Sequence, residues 1–203
     1  MMGKHETGYR RMERDFYPTR EAWVTEALLS HLKIAPEATV WEPAAGRDAV
    51  MAHQLRAAGV TVMCSDVEPV AWQPSARHNF IRAELPQGWG KVSGIITNPP
   101  FGSRGKMAER FIKAGLAHLE RGESAMLALL LPSDFDSAGG RRKFFADCPK
   151  FSAKIVLTRR VVWFERSDGV RPAPKENHAW FVWSRTDRPW GPVLLYGPWE
   201  VER

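Results

Sequence analysis

The chain has 203 residues, of which 26% are charged and 44% hydrophobic, so its composition predicts a globular protein large enough to bury one core. Its two cysteines, Cys64 and Cys148, are too few for a disulfide scaffold or a cysteine-based zinc site; we expect no metal and a reducing, cytoplasmic compartment. A formal charge of +6 favours a polyanionic partner, and the longest apolar run, Ala125–Leu131, is too short to predict a membrane span.

Helix and strand signals alternate through the first half of the chain. Residues 1–19 are polar, basic and aromatic, and we expect them to be irregular. Thr19 is a plausible N-cap for a first helix, and a second helix is predicted to begin near Asp48 and to end at Gly59. Strands are predicted on both sides of this second helix, at Thr39–Trp41 and Thr61–Ser65.

The second half continues the alternation. Met107–Leu119 has an apolar stripe at helical spacing, and Glu109 and Lys113 stand four residues apart as a supporting ion pair. A short helix is predicted at Arg141–Phe145. The strands predicted in this half are Phe80–Ile81, Val92–Thr97, Leu127–Leu131, Lys154–Thr158 and Ala179–Trp183.

This alternation predicts an α/β fold with a mainly parallel, seven-stranded sheet and helices on both faces. The last two strands lack a clear helix between them, so we expect an antiparallel hairpin at one edge of the sheet. We expect three segments: an irregular N-terminal segment (1–19), a single Rossmann-like domain (20–186) and a C-terminal extension (187–203).

The turn after the first strand has the residues of a nucleoside site. Glu42 ends the strand, and the small residues Ala44 and Gly46 would let the backbone approach a ligand; Asp66, about twenty residues on, would take ribose hydroxyls. No pyrophosphate-binding glycine motif is present, and Glu42 would repel phosphates. A ligand with a ribose, an adenine and a cationic centre fits, which S-adenosylmethionine provides. The alternative is that Gly46 only makes a tight turn and Asp66 caps a helix.

The tetrapeptide Asn98-Pro99-Pro100-Phe101 follows the predicted strand Val92–Thr97. Two prolines stop strand and helix alike, so the segment is a rigid ledge. The Asn98 side-chain oxygen and the Pro99 carbonyl can accept hydrogen bonds from an exocyclic amino group, while Phe101 stacks on the base that carries it. The alternative is an ordinary exit from a sheet with Phe101 in the core.

The motifs Phe16-Tyr17-Pro18-Thr19, Glu42-Pro43-Ala44-Ala45-Gly46, Asp66 and Asn98-Pro99-Pro100-Phe101 occur in the order typical of one family. The chain resembles class I S-adenosylmethionine-dependent methyltransferases that act on the adenine N6 amino group of DNA, especially small phage and prophage enzymes. The resemblance spans residues 16–185. It extends to Leu131-Pro132-Ser133, the basic strand Val156–Arg160 and the strand Ala179–Trp183.

The resemblance implies roles for individual residues. Asn98, Pro99, Pro100 and Phe101 would form the catalytic ledge for a flipped adenine. Tyr17, Thr19, Glu42, Ala44, Gly46, Asp66 and Asn79 would bind S-adenosylmethionine. Two departures stand out. Asp48 replaces a usual glycine and could crowd the cofactor loop. No target-recognition domain is evident beyond the catalytic fold, so sequence specificity would be slight or would lie in the loop Glu165–His178.

Several alternatives remain open at the level of sequence. The candidate phosphate contacts are Arg10, Arg11, Arg141, Arg142, Lys143, Arg159 and Arg160. The alternative is that these side chains are only solvated surface charges. Trp163 or Phe164 could form a second wall for the base, or belong to the core of the sheet. The same ledge could serve RNA adenine or guanine, or a protein glutamine, although Phe-Tyr-Pro-Thr speaks against glutamine. A nucleic-acid-binding protein that has lost turnover is the non-enzymatic alternative, with Asp48 as its motivation.

Overall fold

A computed structural model describes residues 17–32, 34–35, 37–163, 174, 176–188 and 190–198. These residues form three α-helices and one sheet of eight strands. The helices are α1 (Ala22–Leu29), α2 (Val50–Ala57) and α3 (Lys106–Glu120). The strands are β1 (Thr39–Glu42), β2 (Thr61–Asp66), β3 (Ser75–Arg77), β4 (Gly94–Thr97), β5 (Met126–Pro132), β6 (Phe151–Val156), β7 (His178–Ser184) and β8 (Val193–Tyr196).

The sheet order is β3-β2-β1-β4-β5-β7-β6-β8, and every pairing is parallel except those of β7 with β5 and β6. The predicted Rossmann-like α/β class is therefore confirmed. The predicted antiparallel pairing of the strands now labelled β6 and β7 is confirmed. Two details were wrong: the sheet has eight strands, and this pair lies inside the sheet because β8 forms the edge. Six of the seven β7 residues are buried, as expected for an inner strand covered on both faces.

Two hydrophobic clusters pack on opposite faces of the sheet because side chains alternate along each strand. Ala128 and Leu130 of β5 face the cluster that holds α1 and α2, whereas Leu127 and Leu129 face the cluster that holds α3. The predicted helix at Met107–Leu119 is confirmed as α3. Its Gly115 lies against Leu127, so the helix approaches the sheet closely at that point.

The tryptophans divide between core and surface. Trp41, Trp180 and Trp183 are fully buried, and each indole N–H donates to an oxygen, which avoids the cost of an unpaired buried donor. Trp190 is 95% exposed.

Three local predictions were wrong for identifiable reasons. Thr19 is not the N-cap of α1, which is Glu21, because the Thr19 side chain and carbonyl bond elsewhere. Phe80–Ile81 belongs to a 3-10 turn in which the Ile81 N–H donates to the Asn79 side chain. Glu109 pairs with Lys106 and Arg141, at 3.1 and 3.2 Å, instead of Lys113.

The parallel strands bring the chemically distinctive residues to one edge. Glu42, Asp66 and Thr97 end β1, β2 and β4, and Asn98 follows directly. Chain order reverses between β1 and β4, which is where open α/β sheets bind ligands, outside the carboxyl ends of the strands. Among the described residues, no helix has the length and apolar character to cross a bilayer, and no cluster of His, Cys, Asp and Glu has the makings of a metal site.

Candidate active site

A cleft of about 1090 Å³ opens at the carboxyl ends of β1, β2 and β4. Its walls come from segments that are far apart in sequence, and they include every described residue predicted for the cofactor and the ledge. These are Tyr17, Thr19, Glu42, Ala44, Gly46, Asp66, Asn79, Asn98, Pro99, Pro100 and Phe101. The volume exceeds the range of about 300–1,000 Å³ typical of a single small-molecule site.

Glu42 places an acidic side chain in the lining of this cleft. It is 3% exposed, and its Oε2 meets no hydrogen-bond partner among the described residues. The pKa of Glu42 is raised to about 8, chiefly by burial; a hydrogen bond from the Ala52 backbone opposes this rise, and the nearby Asp66 carboxylate adds to it. A buried carboxyl oxygen without a partner suits a cationic ligand group, which would replace the lost solvation.

The turn after β1 is tied to the tip of β2. The Gly46 N–H donates to Asp66 Oδ2 at 2.9 Å, and the Glu68 N–H donates to Asp66 Oδ1 at 3.1 Å. Gly46 has a φ of 64°, in the left-handed region where glycine is the least strained residue. Asp66 thus fixes the loop, and its remaining lone pairs are available to ribose hydroxyls. Asp48 lines the cleft but is solvent-exposed.

The N-terminal segment contacts the ledge directly. Asn98 Nδ2 donates to the Tyr17 carbonyl at 2.8 Å and to Thr19 Oγ1 at 3.3 Å, across about eighty residues of sequence. The amide nitrogen is therefore occupied. Asn98 Oδ1 is buried and has no hydrogen-bond partner among the described residues, and Asn98 is one of the residues that line the cleft.

Phe101 is held at the other end of the ledge. Its carbonyl accepts from the N–H groups of Met107 and Ala108 in the first turn of α3, at 3.1 and 3.4 Å. Its ring is half-buried and lines the cleft, where it can stack on a planar ligand. The ledge is thus anchored at both ends, by Tyr17 and Thr19 at Asn98 and by α3 at Phe101.

Three further rings, those of His178, Trp163 and Tyr17, form a row with Phe101. The sequence did not predict His178 in this row. His178 stacks on Phe101 with ring centroids 6.3 Å apart, and Trp163 meets His178 edge-on at 5.0 Å. Tyr17 meets Trp163 at 6.2 Å. No motif marks His178, which lies here because antiparallel β7 begins at the carboxyl end of β5. Burial lowers the pKa of His178 to about 4.

The predicted phosphate contacts lie in different environments. Arg141 is 17% exposed; it pairs with Glu109 and donates to the carbonyls of Phe135 and Arg104. Arg142 and Lys143 are exposed, and Arg142 pairs with Asp147 at 2.8 Å.

The remaining cations of that set lie after β6 or near the N-terminus. Arg159 and Arg160 are exposed beyond the carboxyl end of β6; Arg159 lies over the Trp23 ring at 4.5 Å, and Arg160 donates to Asn177. Arg10, Arg11 and the possible second wall Phe164 lie outside the described residues, as does most of the loop 165–178.

The sequence matches no protein-family model and no curated protein. Solved structures with low sequence identity share the fold. A type I restriction-modification system methyltransferase subunit from Streptococcus thermophilus has a TM-score of 0.56 at 13% identity, over 83% of this chain and 44% of that chain. The human methyltransferase 10 domain containing protein has a TM-score of 0.52 at 12% identity, over 84% of each chain.

A protein from Pyrococcus horikoshii, described as a candidate RNA methyltransferase, has a TM-score of 0.53 at 15% identity, over 83% of this chain and 90% of that chain. The chain therefore has the Rossmann-like fold of methyltransferases. It spans less than half the length of the restriction-modification subunits that it matches.

Proposed function

We propose that the protein transfers a methyl group from S-adenosylmethionine to the N6 amino group of adenine in DNA, after the base leaves its stack. One observation carries the proposal: Asn98 Oδ1 is a buried acceptor without a partner among the described residues, at the head of a Pro-Pro ledge in a large cleft. A buried acceptor that is left unpaired costs about 1–3 kcal/mol, and a donor from a ligand would offset that cost. The methyltransferase fold of the structural neighbours supports the same reading.

The cofactor half of the cleft is assigned to the residues around β1 and β2. Glu42 suits the cationic part of S-adenosylmethionine, Asp66 its ribose and Asn79 its adenine, with Ala44 and Gly46 as close backbone neighbours. Tyr17 and Thr19 lie where this half meets the ledge. S-adenosylmethionine supplies an activated methyl group when bound.

The ledge supplies position and electrostatic stabilisation. Asn98 Oδ1 and the Pro99 carbonyl accept from the two amino hydrogens and favour the pyramidal nitrogen as positive charge develops on it, an effect aimed at the transition state. Phe101 stacks on the base and holds its amino group in line for attack. No general base is needed early, because the proton can leave after the nitrogen has been alkylated.

DNA is favoured over RNA because the Phe16-Tyr17-Pro18-Thr19 motif resembles that of DNA adenine methyltransferases. Tyr17 and Thr19 of this motif contact Asn98. The net charge of +6 suits either nucleic acid. RNA is the second candidate substrate, because the candidate RNA methyltransferase from Pyrococcus horikoshii shares the fold along 90% of its own length.

The decisive experiment is transfer of a labelled methyl group to DNA, RNA and peptide substrates, followed by digestion to identify the modified nucleoside. We expect N6-methyladenine in DNA. Asn98→Ala should lower turnover at least about a hundredfold, the usual effect of removing a group that stabilises transition-state charge. S-adenosylmethionine binding, measured by calorimetry, should change little.

Gln87→Ala, an exposed amide variant, is the matched control and should retain activity. Label recovered in RNA alone would replace DNA as the substrate. Cofactor binding without transfer to any nucleic acid would indicate a protein that binds but does not turn over, and full activity of Asn98→Ala would remove the ledge from the mechanism.

A further inference from the structure

We propose, on the basis of the function above, that the Tyr17 carbonyl and the Thr19 hydroxyl lock the Asn98 amide in one orientation, with Gln54 as a positioning residue behind them. The lock makes the reacting position selective for a hydrogen-bond donor. An exocyclic amino group would be accepted there, whereas a base with a carbonyl at the same position would be rejected.

The orientation follows from the chemistry of the amide. Its NH2 end only donates and its oxygen only accepts. The nitrogen end lies 2.8 Å from the Tyr17 carbonyl and 3.3 Å from Thr19 Oγ1. In a reversed amide, Asn98 Oδ1 would lie about 2.8 Å from the Tyr17 carbonyl oxygen, and two acceptors would face each other. The NH2 group would then face the substrate amine. The Tyr17 carbonyl therefore leaves Oδ1 as the atom presented to the substrate.

Thr19, which carries one of the two acceptors, is itself held by α2 through its backbone carbonyl. Gln54 Nε2 donates to the Thr19 carbonyl at 2.8 Å, and Gln54 Oε1 accepts from Thr25 Oγ1 at 2.6 Å. Thr19 and Thr25 are 3% and 1% exposed, so these bonds are shielded from water. Gln54 is not among the residues that line the cleft. It acts on the reacting position through the carbonyl of Thr19 and, from there, through Asn98.

The same contacts explain why an asparagine is required. An aspartate at position 98 would keep the shape and the acceptor oxygen, and a carboxylate is the stronger acceptor. Its second oxygen, however, would face the Tyr17 carbonyl at the place where Nδ2 now donates. If Asn98 served only as an acceptor, Asn98→Asp would keep its activity. If the orientation of the amide matters, Asn98→Asp should lose activity.

Steady-state methyl transfer to DNA separates these cases. We expect Asn98→Asp to lower kcat about a hundredfold, because a buried charged group is left facing an acceptor. The Kd for S-adenosylmethionine should stay within about threefold, since the variant keeps the volume of the side chain. Asn98→Asp with wild-type kcat would overturn the proposal.

Thr19 and Gln54 provide graded variants. Thr19→Val keeps the shape of the side chain and removes one acceptor, so kcat should fall about fivefold, and Thr19→Ser should recover most of that loss. Gln54→Leu should lower kcat more than it raises KM, because it disturbs orientation without touching a ligand. Equal losses in Thr19→Val and Thr19→Ser would count against the hydroxyl as an acceptor.

The orientation can also be measured without any methyl transfer, which separates its failure from that of the proposed function. In the 15N-labelled full chain, the Asn98 side-chain NH2 signals can be assigned by their loss in Asn98→Asp. Both protons should exchange far more slowly than those of exposed Gln87, and Thr19→Val should deprotect one of them. Slow exchange in a chain that transfers no methyl group would contradict the proposed function but support the lock. Exchange as fast as that of Gln87 would remove the lock, whatever the activity.

Discussion

Glu42 combines a proposed binding role with a cost to the folded state. The side chain is buried, and its pKa of about 8 lies well above the ordinary value of 4.5. Between these two values the unfolded chain releases the proton while the folded chain keeps it. The stabilisation linked to this proton is complete below about pH 4.5 and is lost as the pH rises towards 8.

Glu42→Gln removes this dependence because the amide does not titrate. Below about pH 4.5, we expect the free energy of unfolding of the variant and of the wild type to change similarly with pH. As the pH rises from 5 to 8, the variant should gain stability relative to the wild type. The measurement is urea unfolding at several pH values across that window. Calorimetry at pH 7.5 should show weaker binding of S-adenosylmethionine, since the group that suits its cationic part is gone.

Glu37→Gln, at an exposed position, is the control and should leave the pH dependence of stability unchanged. A Glu42→Gln variant that lost stability steadily from pH 5 to 8 relative to the wild type would mean that Glu42 is ionised and paired in the folded chain.

At the scale of residues, the sequence predicted which groups meet but not how they bond. Glu42, Asp66 and Asn98 could be placed together because each ends or follows a parallel strand, and such ends share one edge of the sheet. The bond from Asn98 to Tyr17 spans 81 residues and involves a backbone carbonyl, so no local pattern encodes it. His178 was missed for the same reason: its place beside Phe101 depends on which strand β7 pairs with.

Among the elements, α3 packs closely against the sheet at Gly115. A Cβ added at Gly115 would lie 2.4 and 2.6 Å from the two terminal methyl groups of Leu127, whose side chain is fully buried in β5. Alanine is favoured over glycine in a helix interior by about 1 kcal/mol. The sign of the change in stability therefore shows whether Leu127 can give way.

We expect Gly115→Ala to lower the free energy of unfolding by about 1 kcal/mol, because overpacking of about 1–3 kcal/mol outweighs the gain in helix propensity. Chemical denaturation measures the difference. In a Leu127→Ala background the same change should become stabilising, since the colliding methyl groups are absent. A stabilising effect in the wild-type background would mean that α3 lies farther from β5 than the structure has it.

Elements with a strong apolar pattern were predictable, and those without one were not. α3 has a continuous stripe and β5 a buried apolar run, and both were placed within a residue or two. β3 is three residues long, with no buried residue, and β8 leaves three of four side chains exposed. These strands exist because a neighbouring strand offers backbone partners, which a hydrophobic pattern does not reveal.

At the scale of the whole molecule, the effect of the positions of the positive charges can be separated from the effect of their sum. Arg141 is held by Glu109 and two backbone carbonyls, so we leave it out of the proposed nucleic-acid footprint. Arg159 is exposed beyond the carboxyl end of β6, on the same edge of the sheet as the ledge. Lys91 is exposed before β4, at the opposite edge.

Charge reversal at these two positions separates a local footprint from general attraction. Arg159→Glu and Lys91→Glu change the net charge equally, so general attraction to a polyanion predicts equal losses of affinity. A phosphate contact at Arg159 instead predicts that Arg159→Glu flattens the plot of log K against log salt by about 0.9, because one counterion fewer is released from duplex DNA. Lys91→Glu should leave that slope unchanged. The measurement is fluorescence anisotropy of a labelled duplex between about 50 and 200 mM salt, the range over which counterion release changes affinity strongly. Equal slopes for Arg159→Glu and the wild type would mean that the duplex does not contact the end of β6. The base would then reach Asn98 from another side of the cleft.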